Sequence, residues 1–173
     1  MSPIIPDDKN WTFVLDSTCS ECGQDVRSTS PSDVVSELPS VVERYLAVLE
    51  RPAARTRQRE ERWSDQEYVV HVAEVFEVMT QRLELMMDLD APAFPNWDQD
   101  AAAEAGKYNE LEPQQAAEQL RTAADRFAAT LWNIESSDYQ RTGLRSNGSA
   151  FTIATLAQYA WHDVLHHLWD LDA

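Results

Sequence analysis

The sequence predicts an all-α fold, a four-helix bundle preceded by a short irregular arm. Three observations predict it: four long stretches carry apolar residues at helical spacing, helix-start residues precede them, and no convincing alternating strand occurs. At 173 residues and 43% hydrophobic content, one domain with a real core is expected. Its parts are an arm over residues 1–30, containing Cys-x-x-Cys, and a bundle over residues 31–173.

Residues 1–30 are poorly periodic. The apolar patch Trp11-Thr-Phe-Val-Leu15 is suited to pair as a short strand or to cover the core. The first helix is expected from about Ser32 to Leu49, entered at Pro31-Ser32 and kinked or split by Pro39. An arginine-rich connector follows Arg51-Pro52. Ser64-Asp-Gln-Glu67 matches a capping box and starts the second helix, in which Val72, Val75, Phe76, Met79, Leu83, Met86 and Met87 recur to about Leu89. A long loop, roughly 90–111, carries Trp97 and Tyr108, which either wall a pocket or simply pack the loop. Pro113, a good first helical residue, opens a third helix to about Ile134, with Leu120, Ala124, Phe127 and Leu131 on one stripe. A connector over 135–151 holds Arg141, Arg145 and the Asn147-Gly148 turn. The fourth long helix runs from about Thr152 to Leu171 and is apolar around much of its girth, as a central helix would be.

The formal charge of −16 argues against nucleic acid or an anionic membrane as partner, since phosphate contacts need clustered Lys and Arg. The four glycines form no phosphate-cradling loop. Residues 1–8 show no basic or apolar leader region, and no stretch reaches the length of a membrane span. A cytoplasmic protein without nucleic-acid or membrane partners is therefore expected.

Three of the four histidines fall within six positions, His162-Asp-Val-Leu-His166-His167. His162 and His166 are about 40° apart around a helix and one turn apart along it, so their imidazoles can take adjacent positions on one ion. His167 lies roughly 100° further round, faces a different neighbour and is the weaker ligand candidate. His71, on the second helix, would complete a three-imidazole site in the bundle. Three nitrogens suit a divalent ion, zinc by default, with nickel, iron or cobalt as alternatives, and leave a position for water or substrate. Asp163 and Asp170 flank the cluster as carboxylates able to orient an imidazole; Glu67 is another, although the capping box already employs it. The bland alternative is that the histidines are core or helix-end residues bonded to carbonyls. Weak candidates for catalytic roles are Glu67, Arg141, Arg145 and Tyr159. The two arginines could pair with a substrate carboxylate, or simply be solvated loop cations.

Cys19-Ser-Glu-Cys22-Gly23 reads in several ways. It is half of a zinc knuckle, and the chain has no second such pair. An all-cysteine site would need two chains, and a mixed site would need histidines from the cluster. It is also a candidate redox dithiol, or a pair of reduced thiols in a structured arm. A separate thiol site at Cys19 and Cys22 therefore stays open.

The segments Trp63-Ser-Asp-Gln-Glu67-Tyr-Val-Val-His71 and His162-Asp163-Val-Leu-His166-His167 resemble the second-helix and last-helix signatures of the DinB/YfiT-like superfamily. Trp97-Asp98-Gln-Asp100, Tyr108-Asn109, the run Arg141 to Thr152, and the arm with its Cys-x-x-Cys resemble an actinobacterial branch of it. The resemblance covers nearly the whole chain. It implies an up-down-down-up bundle with a triple-histidine metal site at His71, His162 and His166. It also implies kinship with thiol-dependent enzymes, including bacillithiol transferases and the amino-terminal domain of the mycothiol-dependent maleylpyruvate isomerase. Relatives often dimerise, and an exposed helix face would allow a homodimer. The function expected is thus a metal-dependent enzyme, activating a low-molecular-weight thiol such as mycothiol, or water, for transfer, isomerisation or hydrolysis of a small substrate. The competing expectations are a non-catalytic metal- or ligand-binding bundle, such as a sensor or stress-response protein, and a plain structural bundle.

Overall fold

Local capping chemistry sets most helix starts in the computed structural model, which describes residue 4 and residues 9–173. Helix α1 (Pro31–Leu49) begins where the Ser30 hydroxyl accepts from the Asp33 N–H and the Asp33 carboxylate accepts from Ser30. Helix α2 (Asp65–Asp88) uses the Ser64–Glu67 box read from the sequence, with Glu67 accepting the Ser64 N–H at 2.7 Å. Helix α4 (Pro113–Asn133) opens on a Glu112–Gln115 box and α5 (Ile153–Asp170) on Thr152 and Thr155. Each satisfies backbone donors that a helix end leaves open.

These four long helices form the bundle. α1 and α2 each pack against both α4 and α5, which puts α4 and α5 at opposite corners. Val34, Tyr45, Phe76, Leu83, Leu120, Phe127, Leu131, Leu156 and Trp161 fill the centre. Phe76 and Phe127 meet with ring centroids 5.2 Å apart. Burial of each such side chain contributes roughly 1.5–3 kcal/mol. No helix among the described residues is long and apolar enough to cross a membrane.

Three local expectations differ, and a fourth resolves between its two alternatives. α1 runs continuously through Pro39, which lies on its exposed face, where the carbonyl it leaves unpaired can meet water. Of the two roles open to the Trp11–Leu15 patch, the structure takes the second: it covers the core as a 3-10 turn packed on α5, with Val14 buried. The long 90–111 loop contains a strand β1 (Ala93–Phe94), a short helix α3 (Gln99–Gly106) capped by Asp98, and a 3-10 turn at Tyr108–Glu110. The 135–151 connector contains strands β2 (Thr142–Arg145) and β3 (Ala150–Thr152). β1 pairs parallel to β2, and β2 pairs antiparallel to β3 around Asn147-Gly148, where Gly148 takes φ +93°. These strands are too short and too distant in sequence to show periodicity. Gly143 is where they close on the core: a Cβ there would lie 2.6 Å from the Phe94 ring and 2.9 Å from Met86. The leader reading at the amino terminus falls almost wholly outside the described residues.

Candidate metal centre

Helix α5 presents two adjacent faces between residues 162 and 170, and each meets a different partner. The first face carries Asp163 and His167, themselves an i, i+4 pair, and turns toward α2. There His71 Nε2 lies 3.7 Å from Asp163 Oδ2, and His167 Nε2 lies 3.8 Å from Asp163 Oδ1. One donor atom from each of the three lies within 4.8 Å of the others.

His71 is the most telling member. It is fully buried, and neither ring nitrogen has a hydrogen-bond partner among the described residues. Its ring is stacked on Trp97, with centroids 5.4 Å apart and planes 3° from parallel, and Trp63 meets it at 4.8 Å. A buried polar atom without a partner costs about 1–3 kcal/mol, so a carbonyl-bonded core histidine does not describe this residue. Burial lowers the His71 pKa, against the opposing pull of Asp163, and favours the neutral imidazole. Burial would raise the Asp163 carboxyl, but the facing His167 and His71 hold it down to about 2. His167 Nδ1 sits 2.9 Å from Asp170 Oδ2. An ionised carboxylate only accepts, so Nδ1 carries a proton, and a neutral His167 bonded this way would turn its Nε2 lone pair toward His71 and Asp163. Two imidazoles and a carboxylate, one imidazole already oriented by a carboxylate behind it, are a donor set that fits zinc, iron, nickel or cobalt.

The second face carries His162 and His166 and turns toward the arm. Cys22 Sγ lies 3.6 Å from His162 Nε2, and Cys19 Sγ lies 3.9 Å from His166 Nδ1. All four residues bring donors within 4.8 Å of one another. Burial lowers the pKa of His162 to about 4, aided by neighbouring His166, and lowers that of His166 as well. Burial also raises the Cys22 thiol to about 11.

The expected set of His71, His162 and His166 is therefore not brought together. The structure groups His71 with Asp163 and His167, and gives His162 and His166 to the cysteines. The physical reason is the one-residue offset: 162/166 and 163/167 have identical spacing but point about 100° apart on the helix. That interleaving was the signal that could have found Asp163.

A cavity of about 240 Å³ lies over both faces, lined in part by Trp11, Tyr68, Tyr159, His162, Asp163 and His167. Tyr159 also lines a smaller neighbour of about 60 Å³ with Trp97, Arg82, Arg145 and Asp163. Arg145 is nearly buried and bonds Asn147, Ser149 and the Tyr159 hydroxyl. Arg141 instead closes the end of α2, donating to the carbonyls of Met86 at 2.7 Å and Met87 at 2.9 Å. Glu67 is occupied by the capping box and by a two-pronged pair with Arg57, outside the lining of the larger cavity. Of the two expected pocket-wall aromatics, Trp97 reaches the site, whereas Tyr108 is buried away from the lining of both cavities.

Among solved structures, the chain is similar to YfiT from Bacillus subtilis, described as a probable metal-dependent hydrolase with an unusual four-helix bundle topology. The two share 19% identity at a TM-score of 0.68, over 99% of this chain and 93% of that one. It is also similar to the mycothiol-dependent maleylpyruvate isomerase, with 14% identity and a TM-score of 0.65, over 86% of this chain and 63% of that one. At these identities the likeness establishes the shared bundle fold. No curated protein matches the chain. The model of the DinB superfamily matches residues 35–170, which take in most of α1 and all of α2, α4 and α5, and the chain belongs to that superfamily.

Proposed function

We propose that this chain is a cytoplasmic metal-dependent enzyme acting on a small molecule, with the ion held by His71, Asp163 and His167. The observation that carries the proposal is His71: a fully buried imidazole whose two nitrogens lack hydrogen-bond partners among the described residues, beside a carboxylate and a second, pre-oriented imidazole. Three protein ligands are the pattern of a catalytic site, and a divalent ion so held supplies Lewis acidity that makes a bound thiol or water nucleophilic near neutral pH. The kinship with a probable metal-dependent hydrolase and a mycothiol-dependent isomerase supports a low-molecular-weight thiol such as mycothiol, or water, as that nucleophile. Zinc is the ion of first choice.

The chain's own residues do the rest. Trp97 and Trp63 fix the plane of His71. Asp170 would hold the His167 proton at Nδ1 and so direct Nε2 at the ion. Tyr159 stands where both cavities meet Asp163, able to donate a hydrogen bond to a bound substrate. Arg82 and Arg145 line the smaller cavity beside it, both nearly buried, and neither makes an ion pair among the described residues. Burial, reinforced by the charge of Arg145, lowers Arg82 to about 10. Two buried cations held side by side in so acidic a chain favour a substrate bearing an anionic group.

The test is metal analysis of protein purified without an immobilised-metal column, followed by thiol-conjugation and ester-hydrolysis screens with and without chelator. His71→Ala and Asp163→Asn should each lose one equivalent of metal and all chelator-sensitive turnover. Arg145→Met should raise KM for carboxylate-bearing substrates more than it lowers kcat. Unchanged metal in both ligand variants removes the proposal. Metal binding without chelator-sensitive turnover leaves the other reading, a non-catalytic metal-binding bundle.

A further inference from the structure

We infer that Cys19, Cys22, His162 and His166 form a second metal site, closed and structural, which fastens the amino-terminal arm to α5 and thereby builds one wall of the cavity. The inference rests on none of the residues proposed above as ligands of the catalytic ion.

The geometry fits a tetrahedral ion. Zinc–sulfur and zinc–nitrogen bonds of about 2.3 and 2.0–2.1 Å at tetrahedral angles place sulfur about 3.5 Å from nitrogen. The two sulfur–imidazole pairs lie at 3.6 and 3.9 Å. Two thiolates and two imidazoles make a complete set, leaving no position for substrate, which is the pattern of a structural site.

The local backbone is shaped for it. Cys19 accepts from the Gly23 N–H at 3.0 Å and donates to the Gln24 carbonyl at 2.9 Å. This tight turn aims both sulfurs one way, and Gly23 supplies the φ of +75° it requires. A redox Cys-x-x-Cys would open a helix; this one lies in a turn, with each sulfur facing an imidazole. The imidazoles are also prepared. With Nδ1 of His166 turned to sulfur, its Nε2 faces Asp170 and Glu21, each at 3.9 Å, carboxylates that would accept the remaining ring proton.

The pairs bridge 147 and 140 residues of chain, so an ion here ties the arm to the far end of the sequence. The tie positions Trp11, which meets His166 at 4.8 Å and His162 at 5.6 Å and lines the cavity with Lys9 and Glu21.

Cobalt substitution of the full chain tests this. Wild-type protein stripped with chelator and reloaded with Co²⁺ should show a sulfur-to-cobalt charge-transfer band. The band and one equivalent of metal should be lost in a Cys19→Ser/Cys22→Ser double variant and kept in His71→Ala, so failure here and failure of the catalytic proposal are distinguishable. Should the double variant not fold, the wild type still decides. In its zinc form, both thiols should resist an aromatic disulfide reagent until chelator is added, and proteolytic cutting within residues 9–30 should then accelerate. A cobalt-loaded wild type without the band, metal content unchanged in the double variant, or thiols equally reactive with and without chelator would each overturn the inference.

Discussion

Replacing His71 by leucine should stabilise the protein when metal is absent and destabilise it, relative to wild type, when metal is present. The imidazole is wholly buried with two nitrogens lacking hydrogen-bond partners among the described residues, so removing them recovers about 1–3 kcal/mol for each. Leucine is close in volume and leaves little cavity. The loss is ring contact with Trp97 and Trp63, worth about 0.5–1.5 kcal/mol for each pair. The balance is a gain on the order of 1–2 kcal/mol for the chelated variant. With free metal at about one hundred times its Kd, wild type gains about 2.7 kcal/mol that the variant cannot, and the order reverses. The second cluster is present in both proteins and cancels. The assay is urea unfolding followed by far-ultraviolet circular dichroism, with chelator and with excess zinc. If His71→Leu were less stable than wild type by more than about 1 kcal/mol in chelator, the nitrogens would have partners and the case for a ligand would fail.

Asp170→Ala removes the acceptor that fixes the His167 tautomer and should weaken metal affinity about 10–100-fold with the fold intact, measured by competition with a chromophoric chelator. Glu67→Gln should cost about 2–3 kcal/mol near neutral pH, because it breaks a partly buried two-pronged pair with Arg57 inside the α2 cap. Burial opposes ionisation of Glu67, but Arg57 and the Ser64 N–H outweigh it and depress the folded pKa. Its contribution is therefore complete above the unfolded value of about 4.3 and disappears as pH falls through the folded one, so the difference between variant and wild type should hold from pH 8 to about 5.5 and shrink only in more acid solution. A difference already shrinking between pH 8 and about 6 would assign the effect to another group. Gly143→Ala should destabilise by about 1–3 kcal/mol in thermal unfolding, since its Cβ would overlap Phe94 and Met86; an unchanged Tm would show that the strand can back away.

The bundle was legible in the chain because its signals are local. The Ser64–Glu67 box, Pro113 at a first helical position and the stripe Leu120–Ala124–Phe127–Leu131 each act within a few residues, and each marks the element found there. The β1–β2 pairing was not legible: Ala93 and Leu144 stand in register across some fifty residues, in strands of two and four residues that carry no period.

The candidate metal ligands divide along the same line. Spacing alone made α5 a source of paired ligands, and it made the arm's two cysteines a pair as well. It could not say which α5 pair meets which partner, because 162/166 and 163/167 differ by a single step around the helix. Only the packing of α2 on one side of α5 and the arm on the other assigned His71 to Asp163 and His167, and the cysteines to His162 and His166. Backbone dihedrals and caps are set by near neighbours; the direction a helix face looks, and what stands opposite, is set by the whole core.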